Sequence, residues 1–244
     1  MHSSTETLPF TAMQRMDIYA GIHKALRALM MDTLQAVGRV DVNDAPELHI
    51  ACGRVLELAD ICASHLKHEN DFVHPAMEAR RPGSSAGIAS EHVEHIEAIE
   101  RLRTSVAALR AASRGPAQGA AALALYRQLA LFVAENFLHM HVEETEHNQV
   151  LWSCYSDDEL RALEGRIVGS IPPAENMKLM RWMIPAMTPV ERAGLLAALQ
   201  ATAPAPVTIS VLDMVRPHLD PREWAKLGSA LSRTQAENPA RGAA

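Results

Sequence analysis

Apolar residues recur along this chain at intervals of three and four, the spacing that lines one face of an α-helix. Few segments alternate apolar and polar as half-buried strands do, and Ala, Leu, Met, Glu and Arg dominate. The pattern predicts four long helices over roughly residues 11–38, 46–79, 87–112 and 118–151. Their breaks, "VGRVDVNDAP", "RRPGSSAG" and "SRGPAQG", are rich in the Gly, Pro, Asn and Asp that end or start helices. Connections this short favour antiparallel neighbours. The expected fold class is all-α, with an up-down-up-down four-helix bundle over about residues 11–152 and helical hairpins after it.

Each helix carries an apolar seam, and each seam is interrupted by polar residues. The first reads Met16, Tyr19, His23, Leu26, Met30, Val37, and the second Leu48, Cys52, Val55, Ala59, Cys62, His65, Glu69, Val73. The third reads Ile88, His92, His95, Ile99, Leu102, Val106, and the fourth Leu125, Leu129, Phe132, Asn136, His139, Glu143, Val150.

Residues 153–233 contain a repeat. "SDDELRALEGRI", "TPVERAGLLAAL" and "DPREWAKLGSAL" begin at Ser156, Thr188 and Asp220, a constant spacing of 32 residues. Ser156, Thr188 and Asp220 each precede a glutamate by three positions, the spacing of a capping box, so each copy should start a helix. Stacked helical hairpins follow from this pattern, and the tail from 234 to 244 is expected to fray. "NMKLMRWMIPAM" reads as a packed helix, with a peptide-binding groove as the other reading.

Composition narrows the chemistry. A formal charge of −6 with mixed signs leaves no basic footprint for nucleic acid or an anionic membrane. No stretch approaches the length of uninterrupted apolar sequence that spans a bilayer, and the N-terminus lacks a basic segment followed by an apolar one. A soluble cytoplasmic protein is expected. Three cysteines, Cys52, Cys62 and Cys154, without CxxC spacing support neither a disulfide framework nor a thiolate metal site, and Cys62 reads as buried packing. Histidine is the outlier: 11 of the 12 lie in the first 152 residues, so a histidine-based function belongs to the bundle.

Helical residues advance by about 100° each, which puts His139 and Glu143 about 40° apart, and likewise His65 and Glu69. His141 points about 160° away from His139. Burying several imidazoles and two carboxylates in one layer without a cation costs several kcal/mol of desolvation. A divalent metal or a pair of metals removes that cost, because carboxylate and neutral imidazole are its ligands. His68 either flanks the site or is a partly exposed helix position. His74, His141 and His147 read as surface or interhelical hydrogen-bonding groups. Tyr19, one turn before His23, is either core or a hydrogen-bond donor to whatever small molecule the metals hold.

The set His23, "HLKHE" (His65 to Glu69), "EHVEH" (with His92 and His95) and "HMHVE" (His139 to Glu143) resembles the hemerythrin-like, HHE cation-binding family over about residues 11–152. The resemblance implies a non-haem di-iron centre. His23, His65, His92 and His139 would be terminal ligands, Glu69 and Glu143 bridging carboxylates, and an oxo or hydroxo group a further bridge between two Fe ions. An oxygen/nitrogen donor set also admits Mn or Zn. Oxygen-carrying hemerythrins have HxxxH on the third helix, whereas this chain has HxxH, which leaves His95 as a fifth ligand, an outer group, or the ligand in place of His92. The carriers' acidic ligand on the fourth helix would select Glu144, whereas the helical angle favours Glu143. A relative that repairs iron centres carries an N-terminal cysteine pair; this chain has no cysteine before Cys52.

Three functions are compatible with these residues. The first is binding or sensing of dioxygen or nitric oxide, with the C-terminal helices relaying the state to a protein partner. The second is a di-iron enzyme acting on peroxide or nitric oxide, and the third an interaction module with a structural metal site.

Overall fold

The computed structural model describes residues 15–237, and within them the chain is helical with no strand. Helix α1 (Ala20–Gly38) starts later than the sequence pattern suggests. Arg15 to Asp17 are not helical, and the Asp17 carboxylate accepts from the backbone N–H groups of Tyr19 and Ala20. That aspartate satisfies two of the orphan donors at a helix start, so the helix begins there. The part of the expected first helix before residue 15 lies outside the described residues.

Helix α2 (Ala45–His68) is capped by Asp44, whose side chain accepts from the Glu47 N–H, with Pro46 in its first turn. It runs into a π-helical turn, Glu69–Val73, and then α3 (His74–Arg80). Helix α4 (Ala86–Ala111) follows, and α5 (Pro116–Val142) starts at Gly115, whose φ of 98° is open to glycine. A second π-helical turn, Glu143–His147, joins α5 to α6 (Asn148–Cys154). α1 packs on α2 and α5, and α4 packs on the same two helices, which closes a four-helix ring. Its core includes Leu26, Met30, Val55, Leu58, Leu102 and Leu129, all buried. The run Pro116–Cys154 is long and apolar enough by composition to cross a membrane; here it is one wall of the bundle.

The C-terminal repeat folds as its caps foretell. α7 (Asp157–Ser170) and α9 (Pro189–Thr202) each begin in a complete capping box, and Asp220 and Glu223 exchange the same pair of bonds at the start of α11 (Pro221–Glu237). Between them lie α8 (Pro173–Ala186) and α10 (Ala205–Val215), the latter extended by a 3-10 turn, Arg216–His218. α8 to α11 share a second core around Ile184, Leu196, Val211, Val215 and Leu227. The stacking is not a plain row of hairpins, because α8 lies along α1 of the bundle. "NMKLMRWMIPAM" is thus part of a packed helix. Of the expected frayed tail, residues 234–237 continue α11, and 238–244 lie outside the described residues.

The two wide turns alter the helical phase. A π-turn holds one residue more than an α-turn, so the inward face moves on by one position after it. Val150, expected on the seam, is only partly buried, and Leu151 is fully buried in its place. His74 would lie about 140° from Glu69 on an uninterrupted α-helix; it is buried at 6% exposure. Leu151→Ala is expected to lower the free energy of unfolding by about 2–5 kcal/mol, and Val150→Ala by about 1 kcal/mol or less. Urea denaturation measures both, and the reverse order would mean that the helix continues as α through residue 147.

Candidate metal centre

The six seam residues His23, His65, Glu69, His92, His139 and Glu143 converge in one layer of the bundle. His23 comes from α1, His65 from the last turn of α2, His92 from α4 and His139 from the last turn of α5. Glu69 and Glu143 are the first residues of the two π-helical turns. One donor atom each from His23, His65, Glu69 and Glu143 lies within 4.8 Å of the others, and the same holds for Glu69, His92, His139 and Glu143. The two sets share both carboxylates.

Each carboxylate turns one oxygen to each set. Glu69 Oε1 is 3.1 Å from His65 Nε2 and 4.0 Å from His23 Nε2, while its Oε2 is 3.6 Å from His92 Nε2. Glu143 Oε2 is 3.4 Å from His23 Nε2, and its Oε1 is 3.3 Å from His139 Nε2 and 3.7 Å from His92 Nε2. His23 Nε2, His65 Nε2 and all four carboxylate oxygens are buried without a hydrogen-bond partner, close to one another but not aligned as donor and acceptor. Buried donor atoms gathered this closely, with no proton between them, are stabilised by cations placed among them.

The outer faces of the imidazoles support the same arrangement. His23 Nδ1 is 3.0 Å from Glu144 Oε1, His92 Nδ1 2.9 Å from Asn70 Oδ1, and His139 Nδ1 2.9 Å from Glu91 Oε2. An oxygen acceptor at Nδ1 puts the proton there and leaves Nε2 bare toward the centre, the arrangement that metal-ligating histidines use. His92 Nε2 and His139 Nε2 face each other at 3.2 Å, so either one carries a proton or both point at a shared cation. Glu144 is thus outside the layer, bonded to His23 and to Arg27.

Without a cation, protons must offset the buried charge. Burial raises the Glu69 carboxyl, and the Glu143 charge beside it raises it further, to about 8. Burial acts on Glu143 the same way, but the His139 and His92 imidazoles close to its Oε1 outweigh it and hold Glu143 well below the usual carboxylate range. Burial disfavours protonated His23 and His139, yet their carboxylate partners raise both to about 9, Glu144 acting most strongly on His23 and Glu143 on His139.

The remaining candidates fall around the layer. His95 is buried, with its ring 4.6 Å from that of His139, and groups with His139 and half-exposed Glu91 but with neither shared carboxylate. Tyr19 is buried against the His23 ring, and its hydroxyl shares a 3.2 Å hydrogen bond with His147 Nδ1. His68 is partly exposed. His141 is exposed, and His147 makes the interhelical bond to Tyr19. His74 is not the surface group its spacing suggests: it stacks on His92 at 4.8 Å between ring centroids, and its Nε2 is buried without a partner. Asn70 and Glu91 each adjoin a seam residue in sequence, which is the one hint of their positions. Burial pushes the Cys62 thiol up to about 12, which keeps it protonated and apolar in character.

No curated protein and no solved structure matches the chain. A family model, the hemerythrin HHE cation-binding domain, matches residues 16–149. That span is more than half of the 244 residues and contains all six converging side chains. The chain belongs to the hemerythrin HHE cation-binding family.

Proposed function

We propose that the protein holds two iron ions between His23 and His65 on one side and His92 and His139 on the other, bridged by Glu69 and Glu143, and that it binds or senses dioxygen or nitric oxide. The observation that carries this reading is that each carboxylate offers one oxygen to each pair of imidazoles. One cation needs no such doubling; two adjacent cations do, because anions between them offset their repulsion. An all-oxygen and nitrogen donor set suits iron, with manganese as the nearest competitor. Two imidazoles and two shared carboxylates would hold each ion, and a donor set of that size would leave room for a small ligand. Bound iron would supply redox-active cations with affinity for dioxygen and nitric oxide. The C-terminal helices, packed on α1, would carry the resulting state to a protein partner.

Metal analysis and absorption spectra of anaerobically reduced protein, before and after air, test the reading. Near-ultraviolet charge-transfer bands should grow in air, and colourless, iron-free protein would overturn it. Glu143→Ala and His139→Ala should lose metal, whereas His141→Ala should keep it. Glu144→Ala and Glu91→Ala should weaken metal affinity about 10–100-fold by releasing Nδ1 of His23 and His139.

The protons of the metal-free layer give a further expectation. His23 and His139 are raised from 6.5 to about 9, so their stabilisation is complete below pH 6.5 and is lost as pH rises through 9. Glu69, raised from 4.5 to about 8, keeps its proton in the fold after the unfolded chain has released it, and this too costs stability as pH rises to 8. His74 and His95, lowered to about 4, act in the opposite sense, but only below pH 6.5. Metal-free protein should therefore lose thermal stability between pH 6.5 and 9. Metal should displace these protons, so that calorimetry at pH 7 in buffers of different ionisation enthalpy detects their release. Proton-neutral binding would contradict the assigned ligands.

A further inference from the structure

A cavity of about 170 Å³ lies between the bundle and the C-terminal helices. Its wall includes His65 and Glu69 on the bundle side and Ile167, Leu179, Met183 and Met187 from α7, α8 and the residue after α8. Neither part of the chain forms it alone. Among the six converging side chains, His65 is the least enclosed, at 11% exposure against 0–3% for those paired with it. The layer is thus most open on the side where this cavity lies.

A diatomic gas does not need such a volume. An engineered apolar cavity of about 150 Å³ takes up benzene. The wall here is mostly aliphatic and thioether, with Tyr19, Ser64, His68, Glu164 and Asn176 as its polar groups besides His65 and Glu69. Gly21 of α1 also lines it. Glycine inside a helix costs about 1 kcal/mol relative to alanine. A Cβ at this position would stand 3.3 Å from Met187 Cε and 3.7 Å from Met183 Sδ, so the missing side chain keeps room between α1 and the two methionines.

We propose that this cavity binds a small apolar organic molecule, of the size of a single six-membered ring with at most one small polar substituent, and holds it beside His65. Its place next to a metal rests on the reading given under Proposed function; the pocket itself does not. The C-terminal helices then have a direct part in recognition, since α7 and α8 supply the outer wall. Methionine suits such a wall because its flexible, polarisable chain packs around varied shapes.

Fluorobenzene followed by fluorine NMR tests this on the full chain. Binding should saturate, and Gly21→Leu and Ile167→Phe, which fill the cavity from the bundle and from α7 respectively, should each weaken it at least tenfold. Circular dichroism and a cooperative thermal transition establish that both variants fold. Met183→Ala should instead admit naphthalene, which the parent excludes. In Mn(II)-loaded protein the bound fluorine line should broaden beyond its width in metal-free protein. Non-saturating uptake, or affinity unchanged from the parent in both filling variants, would overturn the pocket. Saturable binding with no added broadening in protein shown to hold Mn(II) would overturn its placement beside the centre. Gly21-sensitive binding in a chain that takes up no metal would uphold the pocket and sink the metal reading instead.

Discussion

Glu69 and Glu143 face each other inside the bundle at 3% and 0% exposure, and two carboxylates so placed cannot both be ionised without positive charge between or around them. In the metal-free protein the conflict is met by protons: Glu143 keeps its charge against His139 and His92, while Glu69 holds its proton up to about pH 8. Cations held in the layer would do the same with no proton on any inward atom. The outward bonds of His23, His92 and His139 make sense in this light. Glu144, Asn70 and Glu91 hold three imidazoles in the orientation that leaves Nε2 free.

The backbone is shaped for the same purpose. Both long helices that carry a carboxylate widen into a π-turn, and each turn begins on that carboxylate. Such turns are uncommon and concentrate at functional sites, since they disturb the regular ladder of helix hydrogen bonds. Here they shift the faces that follow. His74 comes to stack on His92, and His147, at the end of the second turn, reaches Tyr19 on the segment before α1. Beyond the layer Leu151 meets Tyr19, Val73, Met77 and Leu160 in a small core that seals the end of the bundle with α7.

How much of this could be read from the sequence follows from what each feature depends on. The four seams and the six of their polar residues that converge are periodic, and a constant angle of about 100° per residue suffices to separate Glu143 from Glu144. The C-terminal caps are local, and three-residue spacing reveals them. A π-turn has no such signature: Val73, inside the first turn, is buried as the seam expects, but beyond the second turn Leu151 takes the inward place expected of Val150, and His74 stacks on His92 rather than lying at the surface or making an interhelical hydrogen bond. Asn70 and Glu91 look like ordinary solvated neighbours until the facing helix supplies their partners. The packing of α8 on α1, and the cavity beneath it, depend on tertiary contacts between segments more than 130 residues apart, which no local pattern contains.

The attachment of the C-terminal helices bears on whether they can respond to the centre. Lys24, the residue after His23, pairs with both oxygens of Glu191 at 2.7 Å, and Glu191 also completes the capping box of α9. Both side chains are about one-third exposed, so the pair is worth at most about 1 kcal/mol in water and is screened by salt. It aligns the two parts more than it binds them. The stronger link is α8 against α1, where buried Leu179 and part-buried Trp182 join the bundle's own core. Close-packed cores do not deform smoothly but repack between discrete arrangements. A change at His23 that moves α1 would therefore reach α8 through apolar contacts first, and the same helix walls the cavity beside His65. Any coupling between the metal layer, the cavity and the C-terminal helices would thus run through the α1–α8 interface and through α7, which packs on the Glu69–Val73 turn and walls the same cavity.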